Sequence, residues 1–236
     1  MAPDSREEEG RPAGKQFDHF RPRFFRRMAL FLVGNFVLAF GVALAAKSNL
    51  GTTAINSVAY VPSRIFSIDH GLMTAIIYCV YVLLQIAILR KDFSFFSFLQ
   101  IGVAVLFGWF VSLNNRILMP FSPGTYPVQA LLMLGSVIII GFGIFLYLKA
   151  DLIPQPADGL LLAIREKTGW KLHNAKICLD CAMVALAAAI SLVAAHRIIG
   201  IREGTLVAMV GVGKAFGFFS ARLGPKLDNL LKLLPA

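Results

Sequence analysis

Phe40-Gly41-Val42-Ala43-Leu44-Ala45-Ala46-Lys47-Ser48-Asn49-Leu50 recurs in altered form 102 residues later as Phe142-Gly143-Ile144-Phe145-Leu146-Tyr147-Leu148-Lys149-Ala150-Asp151-Leu152. Five of these eleven positions are identical, and the same offset gives eleven identities over the 59 residues 31–89. Each copy is an apolar run that ends in a polar break. Duplicated membrane halves with such breaks are typical of transporters. The repeat therefore predicts two related halves within one membrane protein.

The composition of the chain indicates an integral membrane protein. Hydrophobic residues make up 57% of the sequence, charged residues 15%, and the mean hydropathy is +0.71. A helix needs about 20 apolar residues to span a membrane. Six segments have nearly that length, which predicts an all-α membrane protein with six transmembrane helices: 28–46, 71–89, 93–113, 128–148, 174–195 and 203–221.

The net charge of +10 follows from membrane orientation rather than from nucleic-acid binding. With the N-terminus inside and six spans, sixteen Lys and Arg residues lie on the cytoplasmic side and five on the other side. Both termini are therefore expected in the cytoplasm. The basic side also suits contact with anionic lipid of the bilayer, and no nucleic-acid partner is expected.

The sequence divides into a tail and one membrane domain. Residues 1–27 are predicted to be a basic, largely disordered cytoplasmic tail, and residues 28–232 a single six-span domain. Repeat one covers 28–113 and repeat two covers 128–221. Because each repeat has three spans, an odd number, the two repeats are expected to insert with opposite orientation, as an inverted repeat.

Each half also contains a short segment, 54–66 in the first and 157–167 in the second, that is too brief to cross a bilayer. Re-entrant or interfacial helices are the expected structure, because polar breaks at membrane depth must be buried in protein or face a cavity. Helix N-termini attract anions, although capping alone also favours polar residues there. The substrate-binding residues predicted at these starts are Thr52, Thr53, Asn56, Gln155 and Asp158.

Three ionisable residues inside predicted spans complete the candidate site. Lys176 and Asp180 are four residues apart on one helix, so they share a face and form a pair. Such a pair is either part of a substrate site or a structural ion pair with a snorkelling lysine. Lys214 lies deeper, in the sixth span, and is the third candidate.

The sequence contains no pattern of enzyme chemistry. It has no H-E-x-x-H, G-x-S-x-G or phosphate-loop motif. Cys178 and Cys181 have C-x-x-C spacing, but no second pair or suitably spaced histidines accompany them, and small apolar side chains on one helix face explain them. We expect neither catalytic residues, nor a metal site, nor a cofactor, and hence no enzyme.

Over about residues 28–232 the chain resembles the YczE/YyaS/YitT group of bacterial membrane proteins, most closely its YczE branch. The resemblance rests on Pro156-Ala157-Asp158-Gly159-Leu160, Thr168-Gly169, Lys176 with Asp180, and Gly204-Thr205. Ala157 stands where that branch typically has arginine, and Lys176 and Asp180 stand where it has arginine and glutamate. The group is largely uncharacterised, so the resemblance implies a bacterial inner-membrane protein and no particular substrate.

Two functions remain open from the sequence. The first is a transporter or permease for a small polar or anionic solute, bound where the two short helices begin. The second is a membrane binding or scaffold subunit that moves nothing alone and needs a partner membrane protein or a second copy of itself. Small residues along the sixth span would suit such docking.

Overall fold

The computed structural model describes residues 22–233 of the 236-residue chain. Within that range the regular structure is entirely helical, with eight α-helices and two 3-10 turns. The predicted all-α class is therefore confirmed. The α-helices are α1 (Pro22–Lys47), α2 (Ala54–Ile65), α3 (His70–Leu89), α4 (Leu99–Ile117), α5 (Tyr126–Ala150), α6 (Pro156–Thr168), α7 (Leu172–Ala195) and α8 (Glu203–Leu233), and the 3-10 turns are Arg90–Asp92 and Phe95–Phe98.

Six of these helices are long and apolar enough to span a membrane, as predicted: α1, α3, α4, α5, α7 and α8. The third span runs over Phe96–Ile117, later than the expected 93–113, and it begins within the second 3-10 turn, one turn before α4. Helix α1 already begins at Pro22, so residues 22–27, which the sequence assigned to the tail, belong to a helix. The rest of the predicted tail lies outside the described residues.

Helices α1 and α5 are each followed by a residue in the left-handed conformation, at positions 102 residues apart. Asn49, two residues after α1, has a φ of 57°, and Asp151, at the end of α5, has a φ of 50°. Asn and Asp tolerate this left-handed conformation better than other residues with a side chain. The polar breaks that the sequence showed are therefore the places where the chain turns out of each long helix.

The centre of the fold is the crossing of α1 and α5. Gly34 lies against Tyr147, Leu38 against Gly143, and Gly41 against Ile140. Residue numbers rise along α1 as they fall along α5, so the two helices run antiparallel. A Cβ placed at Gly34 or at Gly143 would lie 2.5 Å from a backbone nitrogen of the other helix. Glycine is thus required for the two backbones to come this close.

The other helices are arranged around this crossing. Helix α4 packs on α1, and α8 packs on α5. The short helix α2 packs against α7 and α3, while the short helix α6 packs against α3 and α7. Both short helices therefore pack against the same two long helices.

We expect Gly143→Ala to destabilise the protein by on the order of 1–3 kcal/mol, because its Cβ would meet the backbone of Leu38, which cannot rotate away. Gly135→Ala is the matched control on the same helix, since nothing lies within 4 Å of an added Cβ there. The melting temperature in detergent measures both. Equal melting temperatures for the two variants would show that the close crossing is absent.

Candidate functional site

A polar cluster surrounds Asp158 in the first turn of α6. The Tyr147 hydroxyl, on α5, donates a hydrogen bond to Asp158 Oδ2. The Asp158 carboxylate also acts electrostatically on Tyr78, on α3. Both tyrosines are at most 2% exposed. Asp158 therefore sits among aromatic side chains that present hydroxyl groups rather than in an apolar wall.

The start of α2 reaches the same cluster through Tyr78. The Tyr78 hydroxyl donates to Asn56 Oδ1 at 3.2 Å, and Asn56 Nδ2 donates to Thr53 Oγ1 at 2.9 Å. Asn56 is 4% exposed and Thr52 is fully buried. The Thr52 hydroxyl is buried without a hydrogen-bond partner among the described residues. The predicted residues of the first break thus lie at a buried helix start that is linked to Asp158.

Gln155 precedes α6 and connects it to α1. Its Nε2 donates to Asn35 Oδ1 at 2.7 Å, while Asn35 Nδ2 donates to Phe31 O at 2.8 Å. Asn35 is fully buried and Gln155 is 3% exposed. This bond holds the start of α6 against the first span.

Two further glutamines hold the other side of α6. Gln85 Nε2 donates to Gln100 Oε1 and to the carbonyl oxygen of Pro156, both at 3.0 Å. An added Cβ at Gly159 would lie 2.6 Å from Gln85 Oε1 and 2.7 Å from Gln100 Oε1. Glycine is therefore needed at position 159 of the Pro-Ala-Asp-Gly-Leu stretch, because two glutamine side chains leave no room for a Cβ.

Lys176 and Asp180 form the ion pair that their spacing predicted. Lys176 Nζ lies 2.9 Å from Asp180 Oδ1 and 2.7 Å from Oδ2. The Asp180 side chain is 7% exposed, whereas that of Lys176 is 48% exposed. Both charges act on Asp158 across the α6–α7 contact. The pair thus borders the cluster: the Asp180 carboxylate is buried, and the Lys176 side chain is half exposed.

The short helix α6 lies outside the six spans, and its Asp158 has an altered acidity. Burial raises the pKa of the Asp158 carboxyl to about 6; the Lys176 ammonium lowers it and the Asp180 carboxylate raises it. A carboxyl group with such a pKa changes its protonation within the physiological pH range. Asp158 is therefore suited to exchange a proton.

Most of the predicted site residues come together, and one does not. Thr53, Asn56 and Asp158 lie in the cluster or bond directly to its members. The other predicted residues at its border are Thr52, Gln155, Lys176 and Asp180. Lys214 is exposed on α8, which packs mainly on α5. Five buried polar residues around the starts of α2 and α6 were not among the predicted site residues. Their only signal was a polar group within an otherwise apolar span, and they are Asn35, Tyr78, Gln85, Gln100 and Tyr147.

Comparisons with known proteins place the chain in a family whose function is not known. A family model described as "Family of unknown function (DUF6198)" matches residues 25–221. The uncharacterized membrane protein YczE of Bacillus subtilis (strain 168) is 30% identical over 148 residues, which are 62% of this chain and 66% of that protein. The chain thus matches slightly less than two thirds of that relative. No solved structure matches. The resemblance to YczE-like membrane proteins is confirmed.

We expect Lys176→Gln to destabilise the protein by about 1–3 kcal/mol, because the buried Asp180 carboxylate loses its charged donor. In the double variant with Asp180→Asn the loss should be smaller than the sum of the single losses, by at least about 0.5 kcal/mol. The exposed pair Lys167–Asp92, 3.7 Å apart, is the control, where we expect a coupling below about 0.5 kcal/mol. Additive losses at Lys176 and Asp180, measured by unfolding in detergent, would contradict the pairing.

The raised pKa of Asp158 predicts a pH dependence of stability. The folded protein holds this proton more tightly than the unfolded chain, whose pKa is near 3.8. Stability is therefore highest below that value and falls as pH rises through about 6, by roughly 3 kcal/mol at most. Asp158→Asn should flatten the melting temperature between pH 4 and 8, whereas Asp151→Asn, at an exposed carboxylate, should leave the slope unchanged. An unchanged slope in Asp158→Asn would refute the assignment.

Proposed function

We propose that this chain, which belongs to the DUF6198 family of unknown function, is a transporter that moves a small polar or anionic solute across a bacterial inner membrane. It is an integral membrane protein with six candidate spans. The observation that carries the proposal is the set of buried polar groups at the starts of α2 and α6, where the Asp158 carboxylate acts electrostatically on Tyr78, which bonds Asn56. Polar groups at this depth are costly and are usually retained for function.

An inverted repeat is the first part of the proposal, and the positions of the helices support it. The short helices begin at Ala54 and Pro156, and the helices after them begin at His70 and Leu172, each pair 102 residues apart. The residues before the short helices, Thr53 and Gln155, have nearly the same φ and ψ. The offset found in the sequence therefore recurs in the local structure.

The contacts between helices support the same symmetry. At the α1–α5 crossing Gly41 meets Ile140, and the residues 102 positions away, Gly143 and Leu38, meet each other. Tyr81 and Met183, also 102 apart, contact each other directly, with 3.4 Å between the Tyr81 hydroxyl and the Met183 sulfur. A residue that touches its own counterpart lies on a two-fold axis. Three spans in each half give the halves opposite orientation, so the axis would lie in the membrane plane.

Re-entrant short helices are the second part of the proposal. Helix α2 has 12 residues and α6 has 13, so each is about 20 Å long or less, against about 30 Å for the hydrocarbon layer. Their first turns are buried against the spans, which suits a chain that enters the membrane and returns. The dipoles of both helices then present positive ends to the cluster.

The charges of the cluster suggest how an anion and a proton move together. With Asp158 ionised, the two carboxylates and the Lys176 ammonium leave one net negative charge, which repels an anion. With Asp158 protonated, the same three groups are neutral, and the helix dipoles favour an anion. We therefore propose that the solute is transported together with a proton.

The test is uptake by the purified chain in liposomes that contain the pH-sensitive dye pyranine. Addition of succinate, glutamate or inorganic phosphate outside should acidify the lumen for at least one of them, faster at pH 5.5 than at pH 7.5, on either side of the Asp158 pKa of about 6. Asp158→Asn should reduce this acidification at least tenfold, whereas Asp151→Asn should not. Wild-type rates from Asp158→Asn would contradict a role of this carboxyl group in transport.

A scaffold subunit remains the second candidate, and α8 favours it. Only 6% of its most apolar 18-residue window is buried within the described residues, against 28–56% for the other five spans. Leu206 and Val210 are each more than 60% exposed on its surface. A partner membrane protein or a second copy would cover this face. If no solute moves in liposomes but the chain co-purifies with a partner that restores uptake, the scaffold function replaces the transporter.

The orientation of the chain is also part of the proposal. Both termini would lie in the cytoplasm, because that assignment collects most of the Lys and Arg residues of the chain on the inner side. The ends of α1 and α2 would then face outward, and the ends of α5 and α6 would face the cytoplasm.

A further inference from the structure

We propose that a cleft at the end of α1, separate from the Asp158 cluster, is a binding site for a small organic carboxylate. The cleft lies between the last turns of α1 and α2 and the start of α3, and it has a volume of about 560 Å³. Ligand sites commonly have volumes of about 300–1,000 Å³. Its recognition of an anion would not depend on whether the protein transports anything.

Two cationic side chains make the cleft basic. Lys47, at the end of α1, and Arg64, at the end of α2, both line it. Lys47 Nζ lies 3.4 Å from the Met119 carbonyl oxygen, and the Arg64 guanidinium lies over the Tyr60 ring, 5.8 Å from its centroid. Both contacts position a cation without neutralising it. A carboxylate between them would gain two charge-assisted partners.

The cleft is also lined by one carboxylate, Asp69, which accepts hydrogen bonds from other groups of the protein. Asp69 precedes α3, and its Oδ1 accepts a hydrogen bond from the backbone nitrogen of Leu72 at 2.9 Å. The same oxygen accepts from the Ser112 hydroxyl on α4. Asp69 thus serves as the cap of α3, and no salt bridge joins it to Lys47 or Arg64 in the part of the chain that the structure describes. The cleft keeps a net positive charge.

His70 supplies a second, independent sign of a ligand. Its side chain lines the cleft and is 9% exposed, and its Nε2 is buried without a hydrogen-bond partner among the described residues. Asn115 Nδ2 donates to the Val111 carbonyl oxygen at 2.9 Å, which determines the orientation of that amide, and it lies 3.3 Å from His70 Nδ1. Nδ1 therefore accepts, and the neutral ring carries its proton on Nε2.

A buried N–H without an acceptor is costly, and a ligand oxygen would remove that cost. The cleft thus offers an ammonium and a guanidinium as donors, and the buried imidazole N–H of His70 lies at its wall. Ile68, Phe121 and Pro123 contribute apolar surface to the same cleft. An organic acid uses both kinds of surface, whereas a bare inorganic ion uses only the donors. The structure therefore favours a carboxylate with a short carbon chain.

The same face of α2 serves the cleft and the cluster. Asn56, Tyr60 and Arg64 are spaced four residues apart, so they lie along one side of the helix. Asn56 belongs to the cluster, and Tyr60 and Arg64 belong to the cleft. The two sites are nevertheless separate, because no residue that bonds to Asp158 lines the cleft.

The test is direct binding of succinate to the purified chain in detergent, read from the melting temperature at constant ionic strength with sodium chloride as the filler. We expect a saturable increase with succinate in the wild type. Lys47→Gln and Arg64→Gln should each raise the succinate midpoint at least tenfold, since each removes one charged donor. Arg116→Gln, at an exposed arginine outside the cleft, should leave the midpoint unchanged.

Three outcomes would overturn the proposal: no saturable increase with succinate, an unchanged midpoint in both Lys47→Gln and Arg64→Gln, or an equal midpoint for inorganic phosphate. The last outcome would indicate a site for small anions in general. Because binding is read in detergent, its result is independent of uptake in liposomes. His70→Gln, which keeps a donor, should bind more tightly than His70→Phe, which has none, provided that both variants show a cooperative melting transition.

Discussion

The close antiparallel crossing of α1 and α5 is the constraint on which the rest of this structure depends. Two long apolar helices approach until the glycine positions of one meet the backbone of the other, at Gly34, Gly41 and Gly143. In a membrane, packing at small residues and hydrogen bonds between helices hold spans together, because lipid is as apolar as the side chains. This crossing brings the ends of both helices, and the polar breaks after them, into defined positions.

The two short helices follow from that crossing. Each starts after a left-handed turn and packs against α3 and α7, where polar side chains from the spans bond to it. Gln155 is bonded by Asn35, and the carbonyl of Pro156 by Gln85. Backbone and side-chain polar groups that are buried away from water need such partners. The same requirement places Asp158 among hydroxyl and charged groups, which explains its suitability for a proton.

The cleft and the cluster use polar groups differently. In the cluster the tyrosines, amides and charges bond one another, and the short helices hold the set together. In the cleft Lys47 and Arg64 face open space, and His70 Nε2 has no hydrogen-bond partner among the residues that the structure describes. In the first arrangement the polar groups satisfy one another, and in the second the cationic groups face open space.

The sequence alone determined the helical class, the six spans and the positions of both short helices, because apolar length and polar breaks are local properties of the chain. It also identified Asp158 and the Lys176–Asp180 pair, since charge within apolar segments is costly wherever the segments pack. Only the tertiary structure decided that Tyr147 bonds Asp158 and that Tyr78 bonds Asn56, while Lys214 is exposed on α8. Which face of a nearly uniform apolar helix turns inward depends on its neighbours, and no single segment carries that information.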